Sequence, residues 1–425
     1  MSLFRSRASE GQGRGEDILV GLDIGTTKIC CIIAVPDSFG GIEIIGVGNS
    51  KSLGMTRGMV VNMDLTIGAI KEAVEEASRI AGCRVEDVYL GIAGGHIHSF
   101  NTEGVIAVRD KVDKIITEED KKRVQKSALV LSTPVDRDVF QSVAQEYVVD
   151  GQDGILDPVG MVGVRLEVKV HVITGAISAI QNLLNCVANA GFNVNDIILE
   201  SLASASAVLS PQEMDVGAAI LDFGGGTTDI AIFSGGAVKH TAVLALGGNS
   251  LTSDLAQGLR TSTEIAEILK ISEGCCMPEL MAGRGPIEVP SASGFAPQEV
   301  PADFFANILG KRVEEILYHV SEEFRRSGLD NSINGIVLTG GSSLLNGVTE
   351  MAKEIFNRPV RRGCPECGGG LAEMVHDPKF ATAIGLILYG LQNSESAMRV
   401  PKSDKSNPSL WGRIWRRLKG MLDPG

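Results

Sequence analysis

Two short segments carry the same chemistry 199 residues apart: Asp23-Ile24-Gly25-Thr26-Thr27-Lys28 and Asp222-Phe223-Gly224-Gly225-Gly226-Thr227-Thr228-Asp229. Glycine lets a backbone approach a ligand closely and adopt positive φ. The N–H groups freed in such a turn, with threonine hydroxyls beside them, form a cradle for phosphate oxygens. A carboxylate at the same tip suits water-mediated contact with the magnesium that accompanies a nucleotide. One copy means little, because Asp and Gly are ordinary turn residues. Two copies predict two cradles that clamp the phosphates of one nucleotide from opposite sides. A third segment, Gly335-Ile336-Val337-Leu338-Thr339-Gly340-Gly341-Ser342-Ser343, is an apolar run ending in a double glycine, as a backbone lying against an adenosine requires. No GxxxxGK[ST] occurs, which excludes a P-loop, and no GxGxxG follows a strand in a dinucleotide-type unit.

The elements that position these residues follow from periodicity. Apolar runs at 18–22 and 29–35 flank the first motif, and runs at 218–221 and 230–233 flank the second, so each motif is the tip of a tight hairpin. Ile67, Ile70, Val74, Ala77 and Ile80 predict a helix over 64–81, stopped by Gly82. Strands at 88–93, 104–108 and 145–149 and a helix at 117–128, opened by Thr117 with Asp120 and by Glu118-Glu119, read as a small α+β insertion. The first half resumes with a strand at 168–174 and a helix at 178–190, and a connecting helix starts at Glu200. The second half repeats the plan with its own insertion from about 247 to 328, comprising a helix at 263–271, a loop-rich hairpin at 279–301 and a long helix at 302–326. After Leu391 the Asn, Ser, Lys and Pro content predicts a linker over 392–408.

Composition bounds the rest. A chain of 425 residues implies two to four domains, and 44% hydrophobic residues with only 4% aromatics imply aliphatic cores. A net charge of −13 argues against nonspecific nucleic-acid binding. Residues 1–15 lack the apolar core of a secretory signal, and no run reaches the length of a membrane span, so the eight cysteines are expected as reduced thiols. Cys364-Pro365-Glu366-Cys367 has a zinc-like spacing without a second pair, and His96 and His98, placed on one strand face, lack a third ligand. Neither is expected to hold a metal.

Residues 409–422 form the second informative feature. On a helical projection Leu410, Trp411, Ile414, Trp415, Leu418, Met421 and Leu422 share one arc, while Arg413, Arg416, Arg417 and Lys419 share the other. From Ala397 onward seven basic residues stand against two acidic ones. Each basic residue near an anionic surface contributes about 1 kcal/mol at best, so this helix reads as a reversible interfacial anchor on anionic lipid. Packing on the chain's own core and docking in a partner groove are the alternatives.

The paired hairpins, the Gly340-Gly341 segment and Ala381-Thr382-Ala383-Ile384-Gly385, similar to a second connecting helix, together resemble the actin/sugar-kinase/heat-shock-chaperone superfamily. Val88-Tyr89-Leu90-Gly91-Ile92-Ala93-Gly94, Gln145-Glu146-Tyr147, Asp157-Pro158-Val159-Gly160, Lys169-Val170-His171 and the extreme C-terminus narrow the likeness to the FtsA family of bacterial cell-division proteins, over roughly residues 17–422. The implied fold is α/β: an actin-like duplicated ATPase fold with an FtsA-type α+β insertion subdomain in the first half and a C-terminal amphipathic helix. The implied organisation is an arm at 1–16, subdomain 1A at 17–86 with 165–200, insertion 1C at 87–164, subdomain 2A at 201–246 with 330–391, subdomain 2B at 247–329, a linker at 392–408 and the membrane-targeting helix at 409–425.

The resemblance also implies roles. Asp23, Gly25, Thr26, Thr27 and Lys28 face the phosphates of ATP from the first half, and Gly224, Gly225, Gly226, Thr227 and Thr228 from the second. Asp23 and Asp222 lie near magnesium, and Gly340, Gly341 and Ser342 border the adenosine. Glu267 and Lys270 resemble ribose and adenine contacts, a solvated helix face being the alternative. Glu200 matches a glutamate that positions the attacking water; because the family does not uniformly keep an acid there, at most a weak ATPase follows. Arg312 matches a basic residue that contacts the C-terminal peptide of FtsZ, a solvated surface arginine being the alternative. The implied function is an ATP-binding scaffold that polymerises with itself, tethers FtsZ to the cytoplasmic face of the inner membrane at the division septum, and recruits later divisome membrane proteins. A PilM-like pilus scaffold and a small-molecule kinase are the other readings. A DnaK-type chaperone is disfavoured, because too few residues follow 392 for a peptide-binding domain.

Overall fold

The computed structural model describes residues 18–38, 40–109, 113–130, 134–290 and 297–399, the stretch 393–399 by its backbone only. The N-terminal arm and the amphipathic segment at 409–425 lie outside the described residues.

β1 (Leu19–Ile24), β2 (Lys28–Pro36) and β3 (Ile42–Lys51) form an antiparallel ladder with Asp23 opposite Cys30. A small pair, β4 (Met55–Thr56) and β5 (Met59–Val60), leads into α1 (Met63–Ala81). Asn62 caps α1 by accepting the Leu65 N–H, and Gly82 ends it at φ 66°, a conformation glycine adopts without strain. α1 buries Ala69, Ile70, Ala73, Val74 and Ala77 against the sheet; Ile80, expected on that stripe, turns outward with 42% of its surface exposed. β6 (Asp87–Ile92) runs parallel to β1.

The chain then leaves this sheet. β7 (His98–Ala107), α2 (Glu118–Ala128), β8 (Arg137–Val149), β9 (Gln152–Ile155) and β10 (Arg165–Ala176) build a second sheet in the order β7-β10-β8-β9, with α2 packed on it. Thr117 and Asp120 close a capping box at the start of α2. Val124, Tyr147, Leu166, Val168, Val170 and Val172 give this unit its own core. Two strand assignments are corrected here. Residues 88–93, read as part of the insertion, belong to the first sheet, and 168–174, read as the returning strand of the first half, is an inner strand of the insertion sheet. A buried apolar strand looks alike in either sheet, and its pairing partner is a non-local choice. α3 (Ile177–Ala190) and β11 (Asn193–Leu199) then complete the first sheet, β11-β6-β1-β2-β3.

The second half follows α4 (Glu200–Val208) and α5 (Pro211–Val216). β12 (Ala218–Phe223), β13 (Thr228–Ser234) and β14 (Ala237–Leu244) are again an antiparallel ladder. α6 (Gly248–Leu259), α7 (Thr263–Glu273), the hairpin of β15 (Ile287–Val289) and β16 (Gln298–Val300), and α8 (Ala302–Arg326) make up its insertion. β17 (Gly335–Thr339), α9 (Val348–Phe356), β18 (Val360–Arg362), α10 (Ala372–Val375) and α11 (Ala381–Arg399) finish the described chain. The sheet order β14-β13-β12-β17-β18 repeats the first sheet strand for strand. α11 runs to Arg399, so residues 392–399, expected as linker, are helical. A helix already nucleated on buried Ile384 and Ile387 propagates cheaply, and no proline intervenes before Pro401.

α4 and α11 cross behind the two sheets at close range. A Cβ at Gly385 would collide with the backbone of Ala203, and one at Gly21 of β1 with the carbonyl of Ala383. This crossing brings the N-terminus of α4 and the first turn of α11 to the ends of β1 and β12, where the two motifs lie.

Candidate functional site

The two motifs form matching hairpins. Gly25 N–H donates to Lys28 O at 3.0 Å, and Gly224 N–H donates to Thr227 O at 3.0 Å. Asp23 opposes Cys30 in the first ladder; Asp222 opposes Asp229 in the second. The tips meet. A side chain on Gly225 would collide with Thr27 Oγ1, and one on Gly226 with the Thr26 side chain. Behind this contact lies a cleft of about 550 Å³. Every residue expected at the nucleotide lines it except Thr228, including Gly25, Gly224, Thr227 and Gly341. Thr228 is buried and its Oγ1 donates to Leu246 O at 2.9 Å, so it serves the loop after β14 rather than the cleft.

The cleft floor is acidic. Asp23, Asp222 and Asp229 are each at most 8% exposed, and Glu200 opens α4 beside them. Burial, outweighing the nearby Lys28 charge and reinforced by Asp222, pushes Asp23 up to about 6. Burial first, then the surrounding aspartates, raises Glu200 well above the usual carboxylate range. Asp229 is raised the same way, by burial and then by Asp222. Asp222 is raised by burial despite two hydrogen bonds: its Oδ2 accepts from Ser204 Oγ at 2.5 Å and from Thr382 Oγ1 at 3.1 Å. Asp229 Oδ2 accepts from Thr227 Oγ1 at 2.8 Å, while its Oδ1 is buried without a partner. Lys28, expected to face the phosphates, lines the cleft while its Nζ donates to Lys379 O at 2.8 Å and lies 4.4 Å from the Phe380 ring centre. Burial and mutual repulsion therefore oppose ionisation of the floor, and a cation seated there would favour it. Among the described residues no three His, Cys, Asp or Glu side chains form a ligand set of their own. That arrangement suits magnesium, which is commonly held by one or two carboxylates together with phosphate oxygens and water.

The far wall comes from the second half. Gly340 sits at φ 80°, and a Cβ there would collide with Asp222 Oδ1. Ser342 Oγ donates to Gly224 O at 2.9 Å, tying this loop to the second hairpin. Lys270 Nζ donates to Glu267 Oε2 at 2.7 Å, to Thr252 Oγ1 at 2.8 Å and to Gly248 O at 3.1 Å, and Thr252 also donates to Glu267. These two side chains are thus a knit, partly buried wall rather than a solvated helix face. Asn249, Ser204, Thr382 and Lys379 belong to the site but were not identified from sequence. Ser204 and Thr382 stand in the two connecting helices, and only the crossing of those helices brings both hydroxyls to one carboxylate.

Two further expectations take different forms. Arg312 is not a free surface arginine. Its Nε and Nη2 grip Asp254 at 2.6 and 3.1 Å and its Nη1 meets Glu315 at 2.7 Å. It borders a second cleft of about 330 Å³ that shares Thr26, Gly225, Gly226 and Asn249 with the first, so the touching tips partition the two. His96 lies in the turn before β7, not on a strand, so it shares no strand face with His98. No helix among the described residues is long and apolar enough to cross a membrane.

Comparison with known proteins gives a consistent result. The family profile described as cell division protein FtsA matches residues 219–385, and the profile of the SHS2 domain inserted in FtsA matches residues 94–174. The cell division protein FtsA of Pseudomonas aeruginosa is 43% identical over 393 residues, covering 92% of this chain and 94% of that one. The FtsA of Bacillus subtilis is 38% identical, with 89% and 84% covered, and that of Escherichia coli K12 is 34% identical, with 88% and 91% covered. Among solved structures, the PilM–PilN type IV pilus biogenesis complex superposes with a TM-score of 0.63 at 18% identity, covering 88% of this chain and 98% of that chain. An MreB of Spiroplasma citri bound to ADP superposes with a TM-score of 0.52 at 15% identity, covering 91% and 99%. These two likenesses concern the fold, an actin-like α/β architecture.

Proposed function

The chain belongs to the FtsA family of cell division proteins, and from that premise we propose that it is an ATP-binding, actin-like scaffold that tethers FtsZ to the cytoplasmic face of the inner membrane at the septum. The observation that carries this reading is the pair of matched hairpins closing on one acidic cleft. The backbone N–H groups and hydroxyls at Thr26, Thr27, Gly225 and Gly226 suit the β- and γ-phosphates. Gly340, Gly341 and Ser342 suit the adenosine, and Glu267 and Lys270 its ribose and base. Asp23 and Asp222 would hold magnesium through water, and that ion supplies neutralisation of the phosphate charge. Glu200 is the one candidate to orient a water for hydrolysis. Burial and the neighbouring aspartates raise its pKa well above the usual carboxylate range, which disfavours the ionised form that a base needs and fits a weak ATPase.

The tail at 409–425 supplies the membrane contact through Trp411, Trp415 and the basic face, and α8 with Arg312 the surface for the FtsZ peptide. Self-association along the actin-like body and recruitment of later division proteins complete the scaffold role. Family membership disfavours the pilus and kinase readings. The test is co-sedimentation of FtsZ with anionic liposomes, with the full chain, with a chain truncated before Ser409, and with or without ATP. FtsZ should reach the liposomes only with the full chain. Equal recovery with the truncated chain overturns the tether.

A further inference from the structure

β14 is the edge strand of the second sheet, yet its outward carbonyls are covered by side chains of the inserted sheet. Ser99 Oγ donates to Thr241 O at 2.8 Å, Asn101 Nδ2 to Lys239 O at 3.0 Å, and Gln145 Nε2 to Val238 O at 2.7 Å. His171, 1% exposed, sits at the centre with Nδ1 at 2.7 Å from Asn101 Oδ1 and Nε2 at 2.9 Å from Thr241 Oγ1. Asn101 Oδ1 also accepts from Gln145 Nε2 at 3.2 Å, so Nδ1 carries the imidazole proton and Nε2 accepts the Thr241 hydroxyl. Each bond fixes the direction of the next. Losing one strands a buried polar atom, so the seam holds or releases as a unit.

The other end of β14 is joined to the phosphate hairpin. Leu244 is in register with Thr228, whose hydroxyl holds Leu246 O. Just beyond, Gly248 N–H and Asn249 N–H donate to Gly224 O and Gly225 O at 2.9 and 2.7 Å. On the same strand His240 Nε2 lies 2.8 Å from Glu323 of α8. One short strand is thus held by the hairpin at its end and by the inserted domain along its length.

We propose that β14 transmits the state of the cleft to the inserted domain. A phosphate-bearing ligand seated on Gly224–Gly226 shifts the residues that end β14, and the seam obliges the insertion to follow as one body. The orientation of the insertion's outer face, available to other proteins, then depends on the cleft. The coupling rests on the nucleotide reading of the cleft.

The test is hydrogen exchange of the full chain with and without a non-hydrolysable ATP analogue and magnesium, with affinity titrated separately. In the native chain the analogue should change exchange in peptides spanning β7 and β10 several-fold. In Asn101→Ala with Gln145→Ala the analogue should bind within about twofold of native affinity, but that exchange change should disappear. Ser99→Ala, which removes a single donor, should reduce the change even if the double variant folds poorly. Binding without any exchange change in β7 and β10, or a change that survives in both variants, overturns the coupling alone. No binding in the titration overturns the nucleotide reading and the coupling with it.

Discussion

Thr27 and Gly225 meet tip to tip at the partition between the two clefts, and the space a side chain on Gly225 would need is already filled by Thr27 Oγ1. Thr26 stands in the same relation to Gly226. Under the offset of 199 residues that relates the hairpins, Thr26 corresponds to Gly225 and Thr27 to Gly226. The two contacts are therefore one contact made twice, as an internal two-fold requires. The first hairpin contributes hydroxyls and the second contributes room.

Gly225→Asp puts bulk and charge where Thr27 and a phosphate would compete. ATP affinity is expected to fall at least a hundredfold by calorimetry. Asp222→Ala removes the acceptor of Ser204 and Thr382 and should lose magnesium-dependent binding. Unchanged affinity in both variants would remove the cleft as the nucleotide site.

The acidic floor predicts proton linkage. Burial holds Asp23 at about 6 in the fold against the 3.8 ordinary for an aspartate, so the folded state binds the extra proton between those values. The ligand-free protein should therefore gain stability as pH falls from about 6 toward 4, by on the order of 2–3 kcal/mol from this group alone, and lose it as pH rises through 6. Magnesium nucleotide should expel that proton. Calorimetry at pH 6 in buffers of different ionisation enthalpy should give different apparent heats; identical heats would mean the floor is already ionised.

Arg312 has two duties to separate. Arg312→Glu sets a third carboxylate beside Asp254 and Glu315 and should lower the melting temperature by a few degrees, because the pair is bidentate and partly buried. It should also weaken an FtsZ tail peptide several-fold in fluorescence anisotropy. The swap Asp254→Arg with Arg312→Asp rebuilds the pair in reverse. Recovered melting temperature without recovered peptide affinity identifies Arg312 as a contact; recovery of both makes its role purely structural.

Trp411→Glu with Trp415→Glu places charge in the apolar arc of the tail. The protein should leave anionic liposomes while keeping ATP affinity. Retention on liposomes at moderate salt would move the membrane contact elsewhere in the chain.

Much of the site could be read from the residues alone because its signals are local. A strand, a glycine-rich tip and a second strand lie in one contiguous stretch each time, 19–36 and 218–234, and Gly82 and Thr117 mark helix ends through bonds to neighbours in sequence. The likeness between the halves also lay in the chain, as one motif repeated at a fixed offset. What the chain order could not give were choices made between distant segments. The strand at 168–174 and that at 88–93 carry the same apolar pattern, and only pairing sent one to the insertion and the other to the first sheet. Ser204 and Thr382 share Asp222 because two helices cross there, at a contact that Gly385 makes possible. Arg312 is spoken for by Asp254, 58 residues away, and His171 reaches Thr241 across 70. Periodicity reports which face of an element is buried; it carries no record of what lies on the other side, and that partner sets the charge, the proton and the freedom of each group in the cleft.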